Sequence, residues 1–135
     1  MAGKTQAQSD AVLNLLRATS ITAAEAVYAS LFSAAPANDA SDGTELSGGG
    51  YARQAVTFSA PASGIGNARK VSNTNLITFG PASAADWLSA THFGIHSAAS
   101  GAGTLLYWDA LTAAKTMQVG DSAQYAVGSL TVMED

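Results

Sequence analysis

From Ile21 onward, short stretches rich in Val, Ile, Thr and aromatic residues alternate with clusters of Gly, Pro, Ser, Asn and Asp. This punctuation constrains the fold most, because turn residues end each apolar stretch before a helical period can establish itself. Seven stretches read as strands: 26–33, 51–59, 71–79, 91–97, 104–111, 115–119 and 123–132. The turns between them fall at 36–50, 61–66, 80–86, 98–103 and 119–122, with one helical turn expected around Ala84–Leu88. At 135 residues the chain is one domain's length. The pattern predicts an all-β fold, a compact antiparallel β-sandwich of jelly-roll or immunoglobulin-like type, with one short N-terminal α-helix.

The N-terminal segment reads differently. Its first eight residues are polar and expected to be loose, after which Ser9 caps a helix running to Ala18. Residues 1–20 are therefore an arm and short helix, and residues 21–135 the sandwich domain. Val12, Leu13, Leu15 and Leu16 cover more of the helix than one narrow face. So short a helix is marginal alone in water, so its own sheet or another subunit must cover them.

Alternation assigns the strand faces. Phe93 and Ile95 share one face, while His92 and His96 share the other and should point away from the core. Ala52, Val56 and Phe58 oppose Tyr51, Arg53 and Thr57. Two strands look apolar on both faces: Val27 and Leu31 oppose Tyr28 and Phe32, and Leu105, Tyr107 and Leu111 oppose Leu106 and Trp108. Such strands need cover on two sides, from the N-terminal helix or from a neighbouring molecule.

Composition narrows the function classes. Half of the chain is Ala, Gly, Ser or Thr, and only 12% is charged. Net charge is −4 and the six basic residues are scattered, which argues against nucleic-acid binding. No apolar run is long enough to span a membrane, and MAGKTQAQSD does not read as a secretory signal. The absence of cysteine excludes disulfides and thiolate chemistry.

Chemical motifs are equally scarce. Along a strand, His92 and His96 stand about 13 Å apart, too far to share one metal ion, so both are expected to face solvent. Asp39, Asp42 and Glu45 lack the spacing of a calcium loop and read as solvated acids. Gly48–Gly50 has no following Lys-Ser/Thr pair, and Gly64 and Gly66 lack the third glycine of a dinucleotide site, so these read as turn glycines. No G-x-S-x-G stands in the chain, and Asp86, Asp109 and Asp121 lie near turns where acids sit in water. The expectation is a protein with no catalytic residues, no cofactor and no metal, and hence not an enzyme.

The segments AVYASLFSAAP, TELSGGGYARQAVTFSAP, SNTNLITFGPASAADW, THFGIHSAASGAGTLLYWDALTAAKTMQVGDS and VGSLTV, in that order, resemble the small tailed-phage virion proteins labelled tail-fibre-like. The resemblance runs from Val27 to Val132, and the leucine-bearing DAVLNLLRAT matches the short helix with which such proteins begin. It implies a non-enzymatic β-sandwich of the virion, made in the host bacterial cytoplasm. Its implied partners are other virion proteins, the major capsid protein or tail proteins, with the chain a homo-oligomer or lattice-bound multimer. With no coiled-coil or β-helical shaft in the sequence, the first expectation is a decoration or cement protein that binds the outer surface of the capsid lattice. The alternative is a tail-fibre or tail-tip module that binds a host receptor, with Tyr51 or Trp87 stacking on surface sugar. In either case the expected partner interface combines Val12, Leu13, Leu15 and Leu16 with the loop residues Ser47, Gly48, Gly49, Gly50, Tyr51 and Arg53.

Overall fold

The computed structural model describes residues 3–40, 43–101 and 103–134. Its elements in chain order are β1 (Gly3–Lys4), α1 (Gln6–Asn14) with a 3-10 turn over Leu15–Arg17, β2 (Val27–Ala34), β3 (Thr44–Glu45), β4 (Gln54–Val56), β5 (Ala62–Ser63), β6 (Arg69–Ser72), β7 (Ile77–Phe79), β8 (Trp87–His96), β9 (Leu105–Met117), β10 (Ala123–Tyr125) and β11 (Thr131–Glu134). The main sheet has the order β1-β9-β8-β2-β3, with β4 also on β2; β10 pairs with β7, and β11-β6-β5 form a third sheet. Every pairing is antiparallel. The fold is the expected all-β sandwich with one short N-terminal helix.

The main core joins Ala29, Leu31, Phe93 and Ile95 of the large sheet to Ile77, Phe79, Ala123 and Val132 of the smaller ones. Alternation placed Leu31, Phe93 and Ile95 correctly, because period two commits every second residue of a strand to the core. Among the described residues no helix is long and apolar enough to cross a membrane.

Several boundaries differ from the sequence expectation, each for a local reason. Residues 3–8 are not loose: Gly3 and Lys4 pair with Trp108 and Tyr107, and the helix begins at Gln6. Thr5, not Ser9, caps the helix, its side chain accepting from the Gln8 N–H while its hydroxyl donates to the Leu105 and Leu106 carbonyls. That tie to β9 fixes the start of the helix; Ser9 lies one turn inside it. The α-helix proper passes into the 3-10 turn after Asn14, and Ala18, in the left-handed region at φ 56°, closes the helical segment where the sequence places its end.

The expected strands 71–79 and 123–132 each break in two, because the buried Asn73 side chain takes over ladder duties. Its Nδ2 donates to the Asn75 and Ala126 carbonyls and its Oδ1 accepts from the Leu130 N–H. The stretches 104–111 and 115–119 instead form parts of one strand, β9, which bulges. Between the pairs Ala90–Lys115 and His92–Ala110, β8 advances two residues while β9 advances five. A second irregularity pairs Ile95 with Tyr107 but His96 with Leu105, so Leu105 joins Trp108's face rather than Tyr107's. No helical turn forms at Ala84–Leu88: Trp87 begins β8 and is buried.

Candidate functional site

The four apolar helix residues lie outside the core. Val12 is 36% exposed, Leu13 59%, Leu15 54% and Leu16 87%, and no residue of the helix is buried. The helix is nevertheless held firmly at its base. Thr5 is bonded to two carbonyls of β9, Lys4 pairs with Glu134, and Tyr107 donates to the other oxygen of Glu134 at 2.8 Å. Gly3 sits so close on the Trp108 indole that a Cβ there would overlap the ring. A backbone anchored in this way presents its apolar side chains in a fixed place.

The loop residues have a different environment. Ser47 and Gly48 are exposed. Gly49 bridges to Ser83 and accepts the Trp87 indole N–H at 2.9 Å. Gly50, at φ 81°, passes within 2.1 Å, measured from an ideal Cβ, of the Pro81 carbonyl oxygen, so a side chain is excluded there. Tyr51 turns inward, its ring stacked on Phe79 at 6.2 Å and edge-on to Trp87 at 5.4 Å. Its hydroxyl accepts from the Leu31 N–H and donates to Glu45. Tyr51 and Trp87 are thus packed inside and are not the free aromatic faces that sugar stacking required.

Arg53 closes the cluster. Its guanidinium takes both oxygens of Glu45 and reaches the Ala98 carbonyl at 3.0 Å. Burial works to raise the Glu45 carboxyl, but the Arg53 and Tyr51 hydrogen bonds outweigh it and hold the group below its ordinary value. Burial likewise pushes the Tyr51 hydroxyl up. Glu45 is therefore a paired structural acid and not a solvated one. Asp39 of the same expected acidic set is exposed, and Asp42 lies outside the described residues. Among the described residues, no hydrogen bond or ring contact joins the helix quartet to this loop cluster.

The histidines also depart from expectation. His96 does point away from the main core, yet it is only 4% exposed: it stacks on Phe32 at 6.0 Å and shares a hydrogen bond with Ser30 at 2.9 Å. Burial, reinforced by the Arg53 charge, pushes its pKa down to about 4. His92 is half-buried beside Trp108, with Nδ1 2.8 Å from the Thr91 hydroxyl. The outer face of β2 and β8 is thus a second, smaller core of Phe32, His96 and Leu105. Among the described residues, no cluster of three metal-ligating side chains occurs.

None of the curated proteins matches the chain. The family model described as "Podophage GP4 fiber I protein gp80" matches residues 3–133, from the β1 strap to the last strand. The chain belongs to that family of podophage fiber proteins, and is a bacteriophage structural protein of the virion.

Proposed function

We propose that the chain is a β-sandwich module of a phage fibre that joins its virion neighbours through the N-terminal helix. The observation that carries this is the anchored but uncovered quartet Val12, Leu13, Leu15 and Leu16. Burying one exposed leucine side chain contributes about 1.5–3 kcal/mol, so a few such residues hold a module in an assembly where many copies act together. The family description supports the fibre location. The polar end of the loop, Ser47 and Gly48, is the remaining expected contact, whereas Tyr51 and Arg53 serve it by holding the loop's shape.

On the capsid's outer surface, as a decoration or cement protein, the same helix would clamp lattice subunits. Cryo-electron microscopy of purified particles, with head and tail averaged separately, distinguishes the two. Density for the sandwich in a fibre, with the helix against a neighbour, is the expected result; regular density over the head would replace the fibre with decoration. Leu15→Ser combined with Leu16→Ser should fold normally and fail to incorporate. Full incorporation of that double variant would overturn the role given to the helix.

A further inference from the structure

The strap on β9 and the start of β2 are joined by far more chain than their separation needs. Thr5 is held on β9, and Val27 begins β2 on the same sheet, three strand spacings from β1, about 14 Å. Residues 6–26 connect the two, whereas elements of a compact domain are usually joined by a few residues. The stretch 18–26 is exposed throughout and belongs to no helix or strand. Among the described residues, none of 20–25 makes a hydrogen bond or an ion pair.

The strap itself is specific. Gly3 lies on the Trp108 indole with no room for a side chain, and Lys4 pairs with Glu134. Thr5 is 1% exposed and donates to the Leu105 carbonyl at 2.7 Å, and the Gln6 N–H reaches the Asn38 carbonyl at 2.7 Å. A socket shaped in this way selects residues 3–6 of this same chain, but it does not distinguish its own arm from a neighbour's. Those contacts are equal in the two cases and cancel.

What differs lies on the arm. Ala18 takes the left-handed φ of 56° to turn the chain back toward its own β2, a conformation unfavourable to any residue but glycine. On its own body the arm also leaves Val12, Leu13, Leu15 and Leu16 in water. An arm donated to a second copy would place the helix between the partner's socket and the linker that leads home, at the junction of two bodies, where the quartet gains cover. Fully extended, residues 18–26 span about 30 Å, close to the diameter of a small domain, so the linker has the reach.

We propose that copies of this chain exchange their N-terminal arms, residues 3–17 of each docking on β9 of a neighbouring copy, with Ala18 as the hinge. Exchange of an identical element joins protomers at little cost, since the docking contacts already exist. The proposal deepens the attachment role given to the helix by naming a second copy of the chain as the neighbour.

The chain has no cysteine, so cross-linking tests this directly. Gln6 and Asn38 are both exposed and meet through their backbones, so Gln6→Cys and Asn38→Cys leave the socket intact. Full chains carrying one substitution each are mixed, unfolded together in urea, refolded and treated with a short bismaleimide. A covalent pair joined between positions 6 and 38 should form in high yield, and light scattering should show the wild-type chain as a multimer that dissociates on dilution. Ala18→Gly relieves the turn back and should lower the cross-linking yield at least about fivefold. Monomers alone, a multimer whose two thiols do not join between chains, or an unchanged yield with Ala18→Gly would each overturn the proposal. Exchange is read on the purified chain and attachment on incorporation of the Leu15→Ser, Leu16→Ser variant into particles, so the two fail separately.

Discussion

Arg53 holds both carboxylate oxygens of Glu45, Nε on Oε1 and Nη2 on Oε2, each at 2.8 Å. The pair links β3 to the approach of β4, and through Ala98 to the turn between β8 and β9. A bidentate grip of this kind is stronger than a surface ion pair because both partners are partly desolvated and geometrically fixed.

Arg53→Leu should therefore destabilise the protein by about 2–3 kcal/mol, since it strands a half-buried carboxylate with only Tyr51 as partner. Urea denaturation at neutral pH measures this. A loss below about 0.5 kcal/mol would reduce the pair to an ordinary exposed one.

The buried His96 makes stability depend on pH between 6.5 and about 4. Its folded pKa lies below its unfolded value, so the unfolded chain binds the proton more readily. Its contribution is complete above pH 6.5, is lost progressively as the pH falls, and changes no further below about 4. Between pH 7 and pH 5 the loss should be about 2 kcal/mol, at about 1.4 kcal/mol per pKa unit. His96→Phe should flatten this part of the curve, and a wild-type midpoint in urea that is the same at both pH values would refute the assignment.

The two long central strands were legible in sequence because one face of each is committed to the core; Leu31, Phe93 and Ile95 lie where alternation puts them. Alternation also gave the correct face to His96, but could not say that the face is covered, since the cover is Phe32 from a different strand. The helix start was misread because Thr5 and Ser9 are both good caps, and only the long-range bonds from Thr5 to β9 decide between them. Leu105 changed faces through a one-residue irregularity, for which the sequence carries no glycine or proline signal. The Tyr51–Glu45–Arg53 cluster has no motif, and its members meet only because the glycine turn at Gly48–Gly50 folds Tyr51 inward. The exposed helix quartet was the easiest part to find, as four apolar residues on a short helix exceed what one buried stripe requires.

Asn73 holds three segments together from inside: β6, the 126–130 turn and the residues leading to β7. Asn73→Ala leaves the Leu130 N–H without its partner in a buried place, while the Ala126 carbonyl keeps the Ser129 N–H and hydroxyl, at a cost of about 1–3 kcal/mol. Asn73→Leu, close in volume, should be no better, because packing cannot replace the three bonds. Thermal unfolding of the two variants checks this; a leucine variant as stable as wild type would show that volume, not hydrogen bonding, holds the site.

Gly94 is the point where the second core has no room. A Cβ there would stand 2.8 Å from both Leu105 Cδ1 and Phe32 Cε2, and 2.9 Å from the Ser30 hydroxyl oxygen. All three neighbours are buried, so they can give way only by disturbing the Phe32–His96 stack. Gly94→Ala should destabilise by about 1–3 kcal/mol, the usual cost of overpacking. Shortening the crowding neighbour by Leu105→Ala opens space on the same face, so Gly94→Ala should cost less in that background than in wild type. A double-mutant cycle measures the coupling; residues in direct contact give interaction energies of about 0.5–3 kcal/mol. Strict additivity would mean that the glycine is needed for its backbone and not for the contact of Phe32 with Leu105 above it.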